Sequence, residues 1–243
     1  MNIYDNPQFF DKYSQMQRSV LGLDGAGEWY LLKQLLPDFK GKRVLDLGCG
    51  YGWHCAYAVE HGAVSVTGID VSEKMLDKAK TINAAQSIEY RCVSIEDYEY
   101  PADSYEIVIS SLVFHYIESF EDICLKINSC LTDGGDFVFS VEHPIFTADG
   151  RQEWIYGEND TPIHWAVDNN FYEGKRNTHF LGEDVEKYHR SLTTYVNCLL
   201  NSGFVINGFC EPKPPDEILD LPGMIDELRR PMMLIISAKK LCA

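Results

Sequence analysis

The residues of this chain best spaced for chemistry lie between positions 44 and 70. Val44-Leu45-Asp46-Leu47 is an apolar run with one acid, and it leads into Gly48-Cys49-Gly50-Tyr51-Gly52. Glycines there let the backbone turn sharply and approach a ligand that a Cβ would push away. Twenty residues past Gly50, the run Val66-Thr67-Gly68-Ile69 ends in Asp70. A carboxylate at such a strand end can accept hydrogen bonds from both hydroxyls of a ribose, so the two features together read as a nucleoside site. A dinucleotide would require a further glycine at position 53, where the chain has Trp53, a residue that obstructs close helix–strand packing around a pyrophosphate. Further along, Ser110, Ser111, Leu112 and His115 follow one apolar run, and Glu142-His143-Pro144 follow another. Neutral imidazole accepts a proton near physiological pH, which makes His115 a candidate base. Pro144 holds His143 extended, and Glu142 and His143 are candidates to bind or deprotonate a substrate. The structural alternatives are a packing or capping role for His115 and local backbone bonding for the other two.

Positioning these residues requires a regular scaffold, and the chain alternates accordingly. Arg43 to Leu47, Val64 to Ile69, Ile88 to Val93, Tyr105 to Ser110 and Gly135 to Val141 read as short strands, with helices at Glu73 to Ala84 and Phe120 to Leu131 and another starting near Trp53. This rhythm predicts a doubly wound α/β sheet whose ligand crevice lies at the carboxyl ends of the strands. Ahead of it, Tyr4 to Met16 reads as helix or loop, and Trp29 to Leu36 reads as a helix stopped by Pro37, so residues 1–40 are expected to form a helical cap. Residues 145–183 break the rhythm and are expected to be an inserted lid or substrate-binding segment. A helix is predicted from Val185 or Tyr188 to Leu200, closed by Gly203, and the strands Phe204 to Glu211 and Met232 to Ala238 complete the sheet.

Composition narrows the partners. The 243 residues fit one domain, and 45% hydrophobic with 24% charged residues is ordinary for a globular chain. Asp plus Glu outnumber Lys plus Arg by 37 to 21, and the net charge of −16 opposes binding to nucleic acid. No apolar run is long enough to span a bilayer and no leader pattern opens the chain, so a cytoplasmic protein with no membrane partner is expected. Eight cysteines are scattered without CxxC pairs or clustered ligand spacing, which predicts reduced thiols and no metal site. The sequence does not fix oligomeric state, and a homodimer is compatible with it.

The GxGxG turn with its matched Asp70 resembles the class I S-adenosylmethionine-dependent methyltransferases, particularly the small-molecule group described as type 11 or UbiE-like, over about residues 40 to 143. The resemblance implies a Rossmann-like seven-stranded mixed sheet flanked by helices, with an insertion after the fifth strand. It implies S-adenosylmethionine as cofactor and S-adenosylhomocysteine as product. It places Asp46, Gly48, Cys49 and Gly50 at the methionine part, Asp70 on the ribose, and Val71 with Met75 against adenine. Ser94 stands where relatives often have an Asp on the adenine amine, which shifts base recognition toward Ile95 and Glu96. Ser110, Ser111, Leu112 and His115 would border the reaction centre. Tyr13, also counted with the cofactor-binding residues, Trp154, Trp165, Phe171 and Tyr172 could form an aromatic wall, with Tyr188, His189 and Arg190 as further candidates. The function implied is in-line methyl transfer to a small-molecule acceptor. A non-catalytic S-adenosylmethionine sensor or scaffold is the alternative, and an NAD-dependent oxidoreductase is disfavoured by Trp53.

Overall fold

The computed structural model describes residues 2–242. Three short helices open the chain: α1 (Pro7–Ser14), α2 (Gln17–Val20) and α3 (Trp29–Leu35). Asn6 starts α1 by accepting the Gln8 and Phe9 N–H groups, with Pro7 preset for the first turn. The alternating core follows as β1 (Arg43–Leu47), α4 (Trp53–Glu60), β2 (Ser65–Asp70), α5 (Glu73–Ile82), β3 (Ile88–Cys92), β4 (Tyr105–Ser111), α6 (Phe120–Cys130) and β5 (Leu131–Glu142). Each predicted strand of this core is present, with ends shifted by a few residues. No helix joins β3 to β4, because the Tyr98 and Tyr100 side chains of that connection are buried in the core instead.

After β5 come α7 (Pro144–Thr147) and two hairpins, β6 (Trp154–Tyr156) with β7 (Pro162–Trp165) and β8 (Gly174–Phe180) with β9 (Glu183–His189). The helix predicted to begin at Val185 or Tyr188 is corrected here. Residues 183–189 pair as β9, and α8 (Leu192–Asn201) starts only after Ser191, whose side chain accepts the Thr194 N–H. In β9 the side chains alternate, with Val185, Lys187 and His189 buried and their neighbours outward, a period of two that overrides the helical reading. The chain ends through β10 (Phe204–Cys210), α9 (Met224–Glu227) and β11 (Met233–Lys240).

The seven-stranded sheet has the order β10-β11-β5-β4-β1-β2-β3, parallel except for β11, which runs antiparallel to both of its neighbours. Alternate residues of one strand enter opposite faces. Leu45 and Leu47 join a cluster with Val108, Phe137 and Phe139, while Val44 joins Val66, Ile107 and Ile109 on the other side. Both faces are therefore dry and helix-covered, as a mostly parallel sheet requires. The chain winds outward from β1 to β3 and then returns to place β4 on β1's other side. The crevice is expected at that switch point, beyond the ends of β1 and β4.

Candidate active site

At the end of β1 the glycines diverge in role. Gly48, Gly50 and Gly52 all have positive φ, of 70°, 52° and 75°. A Cβ on Gly48 would fall 2.5 Å from Val113 and one on Gly52 2.1 Å from the Tyr90 hydroxyl, so these two are held by packing. A Cβ on Gly50 would meet nothing within 4 Å. Its backbone faces open space, which is the cradle a close-approaching ligand needs.

Asp70, at the end of β2, lies against that cradle. Gly50 N–H donates to its Oδ2 and Ser72 N–H to its Oδ1, both at 2.9 Å. Burial pushes the Asp70 carboxyl up to about 6, and the backbone donors work against that rise. Asp5 of the N-terminal segment reaches the same place, where its Oδ1 accepts the Ser72 hydroxyl at 2.7 Å. Asp46 is buried beneath the glycine turn with the Cys55 thiol donating to its Oδ2 at 3.2 Å, and burial raises it to about 7. Cys49 is buried beside them, its thiol raised to about 11 by the same cause. Val71 is half exposed and Met75 buried behind it. Ser94 spends its hydroxyl on Asp97, donating to Oδ2 at 2.8 Å and accepting the Asp97 N–H at 3.1 Å. Ile95 is buried and Glu96 is exposed.

A cavity of about 70 Å³ lies between the glycine turn and the cap, with Tyr13, Arg18, Tyr51 and Ser111 in its wall. Arg18 was not legible as a site residue in the sequence. Its Nη2 donates to both carboxylate oxygens of Glu28, at 2.6 and 2.9 Å, and Ser111 donates to the same carboxylate at 3.1 Å. Burial alone would raise Glu28, but Arg18 overrides it and holds the group below the ordinary carboxylate range. The available signal was a charged pair framing the glycine-rich stretch Gly22 to Gly27. Tyr13 packs edge-on against Tyr51 and Tyr4, and Tyr4 shares a hydroxyl contact of 3.2 Å with Tyr116. The cap also meets the insertion, through Phe9 on the Phe180 ring and Lys12 Nζ on the Leu181 carbonyl at 2.9 Å.

At the ends of β4 and β5 the expected residues come together, but with their valences filled. Ser110 is fully buried and donates to the Leu47 carbonyl at 2.9 Å, which ties β4 to β1. Leu112 adopts φ 55°, a left-handed conformation uncommon for a branched residue, and donates its N–H to the Ser140 carbonyl at 2.9 Å. His115 Nδ1 accepts the Glu142 N–H at 3.3 Å, which puts the ring proton on Nε2, 3.9 Å from Glu142 Oε1. Burial lowers His115 to about 4. Glu142 accepts from Lys187 Nζ at 2.6 Å and from Gln152 Nε2 at 2.8 Å, while Lys187 also donates to Gln152 Oε1 at 3.0 Å. The Lys187 side chain is 2% exposed. Burial pushes Glu142 upward, and His115 with Lys187 brings it below its ordinary value. His143 caps α7, its Nδ1 accepting the Ile145 N–H at 3.0 Å. Its Nε2 lies 2.9 Å from Glu211 Oε1, close enough for an ion pair but off the axis of a hydrogen bond. As placed, neither histidine turns a free ring lone pair toward the crevice.

The expected aromatic wall divides. Phe171 and Tyr172 are 90% and 76% exposed, whereas Trp154 and Trp165 pack together beside α7. Arg190 is buried and donates to the carbonyls of Phe114, Ile117 and Glu118, and His189 bridges Thr147 and the Asn170 carbonyl. Arg190 thereby fastens the end of β9 to the turn that carries His115, and His189 fastens it to α7 and to residue 170 of the insertion. Among the described residues no helix is long and apolar enough to cross a membrane.

The sheet order with one antiparallel strand, the open glycine cradle and the facing carboxylate define a nucleoside-binding methyltransferase-type domain. Residues 45–139 match a methyltransferase domain family. A protein of Listeria monocytogenes assigned as an S-adenosylmethionine-dependent methyltransferase is 56% identical, over 91% of this chain and all of that one, with a TM-score of 0.87. The S-adenosylmethionine-dependent methyltransferase of Mesorhizobium loti is 41% identical over 90% of this chain and all of that one, with a TM-score of 0.83. A ubiquinone biosynthesis O-methyltransferase of Coxiella burnetii is 32% identical over 49% of this chain and 50% of its own length. The chain belongs to the class I S-adenosylmethionine-dependent methyltransferases. It is an enzyme whose cofactor is S-adenosylmethionine, released as S-adenosylhomocysteine, and the sensor or scaffold alternative is not favoured.

Proposed function

We propose that this enzyme methylates a small-molecule acceptor by direct in-line transfer, in a crevice roofed jointly by the cap and the insertion. The observation that carries this reading is Gly50, whose backbone fronts open space beside Asp70 and under Tyr13 and Arg18. When bound, S-adenosylmethionine supplies a methyl group activated on a sulfonium. In this reading Asp70 accepts from the ribose hydroxyls, Val71 offers adenine an apolar face backed by Met75 and Ile95, and Asp46 and Cys49 support the glycine turn from below. Glu96 and Ser94 border the base, with the Ser94 hydroxyl already engaged. Arg18 offers its guanidinium to the carboxylate of the methionine part, with Glu28 keeping it aimed.

On the acceptor side, Leu112, His115 and the Glu142–Lys187–Gln152 network form a fixed polar floor. Both Glu142 oxygens are bonded, and the nearby histidines hold their protons on Nε2. The residues therefore accelerate transfer by alignment and exclusion of water, on an acceptor that arrives nucleophilic. The acidic surface favours a small molecule over nucleic acid, and the reading includes a cytoplasmic location.

The test is calorimetric titration with S-adenosylmethionine, S-adenosylhomocysteine and NAD, followed by an acceptor screen that detects S-adenosylhomocysteine. Micromolar binding of the first two and turnover on a small acceptor are expected. Turnover confined to nucleic acid or protein acceptors would overturn the proposal.

A further inference from the structure

The connection between β10 and β11 closes over a group of side chains that the methyl-transfer reading does not use. Phe146 of α7, Trp154 of β6 and Trp165 of β7 bring three rings around one point. Phe146 and Trp165 are stacked with centroids 5.1 Å apart, and Trp154 stands edge-on to Trp165 at 5.4 Å. The Trp165 indole N–H donates to the Ile145 carbonyl at 3.2 Å, which fixes that ring. Into this cage reaches Arg230, its guanidinium carbon 4.1 Å from the Trp165 ring, 4.7 Å from Phe146 and 5.5 Å from Trp154. Glu227 closes the rim with bonds of 2.8 and 2.9 Å to the two terminal nitrogens. The Arg230 side chain is 5% exposed, and its Nε–H has no partner.

A buried guanidinium with an orphaned donor is an expensive way to fasten a loop. Fastening is already supplied by Arg229, which donates to the carbonyls of Pro162 and Ile163 and packs 4.6 Å from Trp154. Of residues 211–232 only Pro212 and Arg230 are buried, and Arg229, the Tyr30 hydroxyl on the Lys213 carbonyl and the Met232 carbonyl on His143 hold the segment in place, so Arg230 can leave the cage by swinging its side chain outward while the loop stays. Aromatic rings gathered around a guanidinium, with a carboxylate at the rim, are the chemistry that recognises organic cations. The cage also stands in the right place. Phe146 lies on α7, directly past Glu142 at the carboxyl end of β5, and the Met232 carbonyl accepts the His143 N–H at 2.9 Å.

We propose that Phe146, Trp154 and Trp165 bind an alkylammonium or guanidinium group carried by the methyl acceptor, and that Arg230 occupies this site as a built-in stand-in until the acceptor displaces it. The proposal rests on the acceptor-side reading above and names the chemical class of that acceptor. The net charge of −16 favours approach of such a cation.

The experiment titrates tetramethylammonium chloride and methylguanidinium chloride into wild type, Arg230→Ala and Arg230→Gln, at ionic strength matched with sodium chloride, followed by tryptophan fluorescence and calorimetry. Arg230→Ala is expected to bind one or both cations at least tenfold more tightly than wild type, with Arg230→Gln, whose neutral side chain still partly fills the cage, intermediate. Adding Trp165→Ala to Arg230→Ala should abolish that gain, while S-adenosylmethionine affinity stays at the wild-type value throughout. If the variants keep cofactor binding yet take up neither cation, Arg230 is only an anchor and the proposal is overturned. Should Arg230→Ala fail to fold, Arg230→Gln decides alone: tighter cation binding than wild type supports the cage, and unchanged binding overturns it. Loss of S-adenosylmethionine binding by the wild type would sink the cofactor reading instead, and leaves the cation titration readable by itself.

Discussion

In the proposed reading the nucleoside end of the crevice is built from backbone: a glycine facing open space and a carboxylate already holding two N–H groups. The acceptor end is built from buried side-chain charge, with Glu142 and Lys187 joined by Gln152 and drawn from β5, β9 and the loop between α7 and β6. There each member satisfies the others, so removing one strands a charge.

Breaking the acceptor end should give the largest effect. Glu142→Ala leaves Lys187 buried without its carboxylate and is expected to cost about 3–5 kcal/mol of stability. Thermal unfolding checks this, and the paired change Glu142→Gln with Lys187→Met should recover much of the loss. If the single variant melts like wild type, the network carries no structural weight.

At the nucleoside end the fold should survive and binding should not. Asp70→Ala is expected to weaken S-adenosylmethionine roughly 10- to 100-fold, the worth of charge-assisted hydrogen bonds of about 1.5–3 kcal/mol. Gly50→Ala should weaken binding in the same direction at a cost of about 1 kcal/mol in backbone strain, since its Cβ meets no protein atom. Wild-type affinity in both would remove this cradle from the site.

Two pH effects sharpen the contrast. Asp70 takes a proton near pH 6 in the folded chain, so S-adenosylmethionine affinity should fall up to tenfold per unit as pH drops below about 6, and Asp70→Asn should flatten that profile. Asp46 has its folded value raised from 3.8 to about 7. The folded state therefore holds that proton more tightly than the unfolded chain, and stability contributed at low pH is lost as pH rises from about 4 through 7. Asp46→Asn should accordingly raise the melting temperature at pH 8 and change it little at pH 4, a difference that calorimetry resolves.

The smallest effect is expected at Ser94. Ser94→Ala removes the hydroxyl that accepts the Asp97 N–H in the turn after β3 and should cost about 1 kcal/mol of stability while leaving S-adenosylmethionine affinity within twofold. A larger loss of affinity would return Ser94 to the adenine site.

The strands, the sheet and the cradle were legible in the sequence because each depends on short-range rules: β-branched runs, glycine where φ is positive, and an acid at a strand end. The same rules failed between 183 and 191. There Val185, Lys187 and His189 alternate as a strand, and burying a lysine at such a position makes sense only once Glu142 is seen opposite it. Arg18 with Glu28, and Arg230 with its three rings, were hidden for the same reason. By itself the sequence determined the α/β sheet and the glycine turn with its acid at the ends of β1 and β2, since a turn is encoded by the residues that make it. Tertiary structure alone decided which lone pairs remain free, which charges are paired and what roofs the crevice. Those depend on how the folded chain brings side chains together, as Lys187 is brought to Glu142, and no local pattern records them.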